Sequence, residues 1–136
     1  MELEQVTQII TDFVAKAHYV TAAGTISDGT WGLECNGVEI LLTFHPEQQR
    51  LQLMAELGTP GADSRESTYA TFLTANSLPG RTGGIRVLLD QPGGNLTQEC
   101  DLPINQLSSA VLADRAQHFL EFTQRGRSIV ADPAVN

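Results

Sequence analysis

Few residues in this chain have the types and spacing that chemistry needs. Arg81-Thr82-Gly83-Gly84 has the composition of a phosphate loop. Such loops follow a strand and open a helix, so that free helix amides face the anion. Here the segment follows a helical stretch, opens a strand-like one and carries no Lys-Ser or Lys-Thr, so it reads as an ordinary loop. His18, His45 and His118 are far apart, and with only Cys35 and Cys100 beside them no zinc spacing exists. No Gly-x-Ser-x-Gly elbow is present to expose a nucleophilic serine. Neither cysteine has a base beside it in sequence, and both sit in apolar strand-like runs, as buried free thiols of a reducing compartment do. Glu34, Glu39, Glu47 and Glu56 could pair across a sheet, but solvation of strand faces accounts for them more simply. The expectation is a protein that is not an enzyme and holds no cofactor and no metal.

The elements that would position these residues are legible from periodicity. Leu3, Val6, Ile10, Phe13, Val14, Ala17 and Val20 follow a helical period, which predicts an amphipathic helix over 2–20, with Gly24, Asp28 and Gly29 as punctuation after it. Trp31 to Cys35 and Val38 to Phe44 read as strands joined by Asn36-Gly37, the strongest short hairpin signal. Val38, Ile40, Leu42 and Phe44 share one face, with Leu41 on the other. After a polar turn, Leu51, Leu53, Ala55 and Leu57 alternate again with Met54 opposite, which makes 30–57 a three-stranded meander.

Asp63 with Glu66 has capping-box spacing for a second helix bearing Tyr69, Phe72, Leu73 and Asn76, which Pro79-Gly80 ends. Ile85, Val87 and Leu89 alternate as a strand, Gln91-Pro92-Gly93-Gly94 turns it, and 95–102 return. Asn105 can cap a last helix carrying Leu107, Val111, Leu112, Phe119 and Leu120, with Gly126 ending it. The expected fold class is α+β in the order α-β-β-β-α-β-β-α, a twisted antiparallel sheet with helices packed against it. Residues 1–126 form the single domain and 127–136 a flexible tail.

Size and charge bound the function. The 136 residues can bury one core without disulfides, and no apolar run approaches the roughly 20 residues that cross a bilayer. The opening Met1-Glu2-Leu3-Glu4 is acidic where a secretion signal is basic, which points to the cytosol. The net charge is −8, with −7 of it in residues 1–63. That disfavours nucleic acid and suits a basic or poorly soluble protein partner, or solubility alone. Trp31 is either core or an exposed anchor for a partner. Tyr69, Phe72, Leu73 and Leu78 are more apolar than a short surface helix needs, as either core or subunit interface.

Three segments carry a resemblance. They are Val38 to His45 continuing into Arg50 to Gly58, Tyr69 to Leu78 followed by Gly83-Gly84, and Ile85 to Asp90 through Gly94 with the closing helix behind. In this order the chain resembles the class I type III secretion chaperones, the Tir chaperone family. The Leu-x-x-Asn helix end before Gly-Gly and an alternating strand is the most specific part, and Ser77 departs from an apolar position. The resemblance implies a homodimeric, ATP-independent chaperone of the bacterial cytoplasm. It would hold the N-terminal region of a secreted effector in an extended path, and its candidate partners include the secretion ATPase but no nucleic acid and no membrane. It would place the dimer interface at Tyr69, Phe72, Leu73, Asn76, Ile85 and Val87. Effector binding would fall at Val6, Ile10, Trp31, Leu33, Leu41 and Met54. A non-catalytic adaptor of the same fold, with a folded partner, is the alternative.

Overall fold

The computed structural model describes residues 1–78, 83–91 and 94–131. Helix α1 (Leu3–Lys16) leads into strands β1 (Val20–Ser27), β2 (Thr30–Cys35), β3 (Val38–His45) and β4 (Arg50–Gly58). Helix α2 (Arg65–Asn76), strands β5 (Arg86–Leu89) and β6 (Leu96–Pro103), a single 3₁₀ turn (Ile104–Gln106) and helix α3 (Ser109–Ala131) follow. The strands form one antiparallel sheet in the order β1-β2-β3-β4-β6-β5. The α+β class and the helix-backed antiparallel sheet are as expected from the sequence.

The alternation in β2–β4 sorts side chains onto two faces. Leu33, Ile40, Leu42, Leu51 and Leu53 point inward and are at most 2% exposed. Val6, Ile10 and Phe13 of α1 and Leu112, Ala116, Phe119 and Leu120 of α3 cover them. Burying one such leucine stabilises the fold by roughly 2 kcal/mol. The turn at Asn36-Gly37 has φ of 50° and 83°, the paired positive values that the Asn-Gly signal anticipates.

Four boundaries differ from the sequence reading. Helix α1 stops at Lys16, because Ala17 turns extended (ψ 104°) and Tyr19 is drawn into the core with its hydroxyl donating to the Ala113 carbonyl at 2.7 Å. The residues after it form β1, a strand the periodicity does not reveal. Thr21 to Ser27 are all exposed and so show no apolar alternation, and Gly24 lies within the strand rather than ending it. Asp28-Gly29 is the hairpin turn into β2.

Helix α2 starts after Ser64 rather than Asp63. Helix α3 starts beyond Asn105, and the Ser108 hydroxyl accepts the Val111 amide at 3.1 Å. Gly126 does not end α3, which runs on to Ala131 with Val130 buried, so 127–131 are helical rather than tail. Pro79-Gly80, Arg81, Thr82, Pro92-Gly93 and 132–136 lie outside the described residues.

Gly126 has a packing role instead. A Cβ there would stand 2.9 Å from Cδ2 of the buried Leu57, so the absent side chain lets α3 close onto β4. Gly126→Val is expected to overpack that contact and lower stability by about 1–3 kcal/mol. Thermal unfolding of the two proteins checks this, and an unchanged midpoint would show that Leu57 yields freely.

Candidate protein-binding surfaces

The chemistry that the cysteines could supply is closed off by the fold. Cys35 and Cys100 are free and buried. Burial pushes Cys35 up to about 11 and Cys100 up to about 12, so both stay protonated near neutrality. Burial likewise raises the Tyr19 phenol to about 12. No group of three or more His, Cys, Asp or Glu among the described residues could hold a metal ion. No helix among them is long and apolar enough to cross a membrane.

These raised values link stability to pH. A thiol that ionises near pH 9 when unfolded but only near 11 or 12 when folded leaves the unfolded state with fewer protons in that window. Stability is therefore expected to hold below pH 9 and to fall as pH rises from 9 towards 11. Denaturant midpoints across that range test it, and Ellman's reagent should react with neither thiol at pH 8 until the chain unfolds.

The exposed surface instead offers apolar and charged patches. One lies where α2 meets the edge strand β5. Phe72 and Val87 are buried there with Leu57, Leu96 and Val130 in a second small core. Asn76 ties helix to strand. Its side-chain amide donates to the Val87 carbonyl at 2.8 Å, and its carbonyl accepts the Val87 amide at 2.9 Å, as a neighbouring strand would. Leu73 projects outward, 67% exposed, and a shallow cleft of Tyr69, Phe72, Leu73, Asn76, Val87, Leu89 and Leu96 sits beside it.

Of the six residues assigned to a dimer interface, Phe72, Ile85 and Val87 are thus buried within the chain itself. Leu73 is exposed, and Tyr69 and Asn76 are half-buried. Leu89 belongs to the same patch, and the sequence reading had placed it only in the strand alternation.

A second surface is the outer face of the sheet. Leu41 pairs with Met54 across β3 and β4, and both are half-exposed. Ile26 of β1, 60% exposed, lies against Gly32, which itself pairs with Leu41. Ile26 was missed because its strand was missed. The other four residues assigned to effector binding are core. Val6, Ile10, Trp31 and Leu33 are at most 7% exposed, because the apolar stripe of α1 and the inner face of β2 close on each other. Ile10, Trp31 and Leu33 reach the surface only as the floor of a narrow groove between α1 and β1.

Charge divides the outer face in two. Towards β5, Arg86 bonds Glu99 at 2.7 Å and Asp101 at 3.2 Å, and Arg50 pairs with Asp101. The Glu99 partnership, with Asp101 behind it, raises the Arg86 pKa. Gln52 links His45 at 2.9 Å to Glu99 at 3.0 Å. Towards β1, Glu34 stands directly opposite Glu39 in the register, and neither they nor Glu56 has an ion pair among the described residues. Arg127, the cation beside Glu56, donates to its backbone carbonyl at 2.9 Å.

The fold, an antiparallel sheet backed by helices, matches known proteins. The profile of the Tir chaperone protein (CesT) family matches residues 24–126. The chain belongs to that family. No curated protein matches it. Among solved structures, a chain of the HopA1-SchA chaperone-effector complex is similar at 18% identity and a TM-score of 0.73, over 94% of this chain and 98% of that one. A chain of the ExsC-ExsE complex is similar at 16% and 0.74, over 94% and 95%. The Yersinia pestis type III secretion chaperone SycH, in complex with a stable fragment of YscM2, is similar at 18% and 0.68, over 87% and 96%. At such identities the likeness is one of fold.

Proposed function

We propose that this member of the Tir chaperone family is a homodimer that binds the N-terminal segment of a secreted effector in the bacterial cytoplasm. It keeps that segment soluble and extended, without ATP and without turnover. The observation that carries the reading is the pair of uncovered apolar patches on a fold whose solved neighbours include chaperone-effector complexes. Leu73 and Leu89 at one end suit a second copy of the chain, and Ile26, Leu41 and Met54 on the outer face suit a partner's side chains. Binding an unfolded segment in preference to the folded effector shifts that equilibrium by mass action, so no energy source is required. The half-exposed thioether of Met54 adapts to varied sequences.

The dimer assignment rests on Leu73. Burying that side chain against a partner stabilises the pair by about 2 kcal/mol per protomer. Leu73→Asp would bury an unpaired carboxylate instead, and it is expected to yield a folded monomer. Light scattering gives the mass and circular dichroism the fold, and an unchanged dimer mass would move the interface elsewhere.

The effector assignment is tested by co-expression with the N-terminal part of the effector candidate encoded beside this gene. Two chaperone chains should co-purify with one segment, and deletion of that segment should abolish the complex. A clean dimer that retains no neighbour's segment would instead favour an adaptor with a folded partner.

A further inference from the structure

Helix α2 is the least anchored of the three helices, and it carries the surface assigned above to a second copy. Of its 12 residues only Thr68 and Phe72 are buried. The buried stripes of α1 and α3 face the main core, whereas Phe72 sits in the small second one. The principal neighbour of α2 is β5, a four-residue strand at the sheet edge.

The inward side of α2 is poorly satisfied. Arg65 Nε, Thr68 Oγ1 and Tyr69 Oη are buried without a hydrogen-bond partner among the described residues, and their spacing puts them on one helix face. Each has given up water and received nothing in return, which favours an opened helix that restores them to solvent. The composition works in the same direction. Ser67, Thr68, Thr71 and Thr74 are mediocre helix formers. The hydroxyls of Thr71 and Thr74 donate to the Ser67 and Ala70 carbonyls at 3.0 and 2.9 Å, within the helix, and so add nothing to its hold on the sheet. A short helix of this kind has little stability of its own.

Phe72 and Asn76 hold it closed. The two bonds from the Asn76 carboxamide to Val87 fasten the last residue of α2 to the edge of the sheet. In that position Leu73 and Leu89 line one cleft.

Resting on the dimer reading above, we infer that α2 is a latch helix, which opens from the sheet in the single chain and is held shut by a second copy, with Asn76 as the catch. The cleft of Leu73 and Leu89 exists only while α2 is closed. A second copy therefore binds the closed form alone and shifts the equilibrium towards it. Two chains that share this contact order each other's α2.

The test is hydrogen exchange of the full chain, read by mass spectrometry well below and well above the concentration at which light scattering shows the pair to form. At a free-chain concentration of about ten times the dissociation constant, residues 65–76 should exchange about tenfold more slowly, because mass action depletes the open form by that factor. Strands β2–β4 should exchange alike at both concentrations. Leu73→Asp should keep α2 at the fast rate throughout. In that single-chain background, Asn76→Ala should speed exchange at 65–76 about tenfold through the loss of two bonds. Thr68→Val, which replaces a buried unpartnered hydroxyl with a methyl, should slow it. Neither change should alter β2–β4, as a general change in stability would.

A pair whose α2 exchanges alike at both concentrations overturns the inference and leaves the dimer reading intact. An α2 as slow as β3 and β4 in the single chain overturns it as well. Equal acceleration across the whole sheet by Asn76→Ala would make that residue an ordinary packing contact and overturn its part as the catch. A chain that stays single at every concentration rejects the dimer reading and the second copy with it. Asn76→Ala and Thr68→Val then still decide whether α2 opens.

Discussion

The structure depends on one closure, the inner face of β3 and β4 against α1 and α3. Ile40, Leu42, Leu51 and Leu53 are wholly excluded from solvent there, beneath Phe13, Leu112 and Phe119. The strand period of two then forces Leu41, Met54, Glu39 and Glu56 onto the opposite face, whatever those residues do. The outer surface of the protein is in this sense a by-product of its core. Its chemistry was free to vary once the inner face was satisfied.

That freedom is used differently along the sheet. At the β4-β6-β5 end, two arginines neutralise Glu99 and Asp101, and Asn76 stands in for a missing strand beside Val87. At the β1 end, among the described residues, the acids have no ion pair and the edge has no strand beyond it. A single sheet thus presents one end that is electrostatically closed but apolar at Leu73, and another that is acidic and open.

Much of this was legible from residues alone. The Asn36-Gly37 hairpin, the alternation of β3 and β4 and the helical stripe of α1 all follow from local periodicity, and so does the sheet-and-helix class. The misreadings share one cause. Beyond Val20, strand β1 buries nothing, so it has no pattern to read, and its glycine looked like an end. Gly126 looked like a helix stop, because its use, the close approach of Leu57, comes from a strand 69 residues earlier in the chain.

By itself, the sequence determined which residues alternate and which stripes are apolar, since these depend on neighbours within a few positions. Only the tertiary structure decided which apolar residues are spent on the core and which stay exposed. Val6, Ile10, Trp31 and Leu33 are as apolar as Leu41, Met54 and Leu73, yet the first set is buried and the second is not. The difference lies in what packs against each one, and every such contact joins elements distant in sequence. The pairing of Glu34 with Glu39 across a two-residue turn was within reach of the sequence. The absence of an ion pair to them among the described residues was not, because it depends on where β4, β5 and the last helix place their arginines.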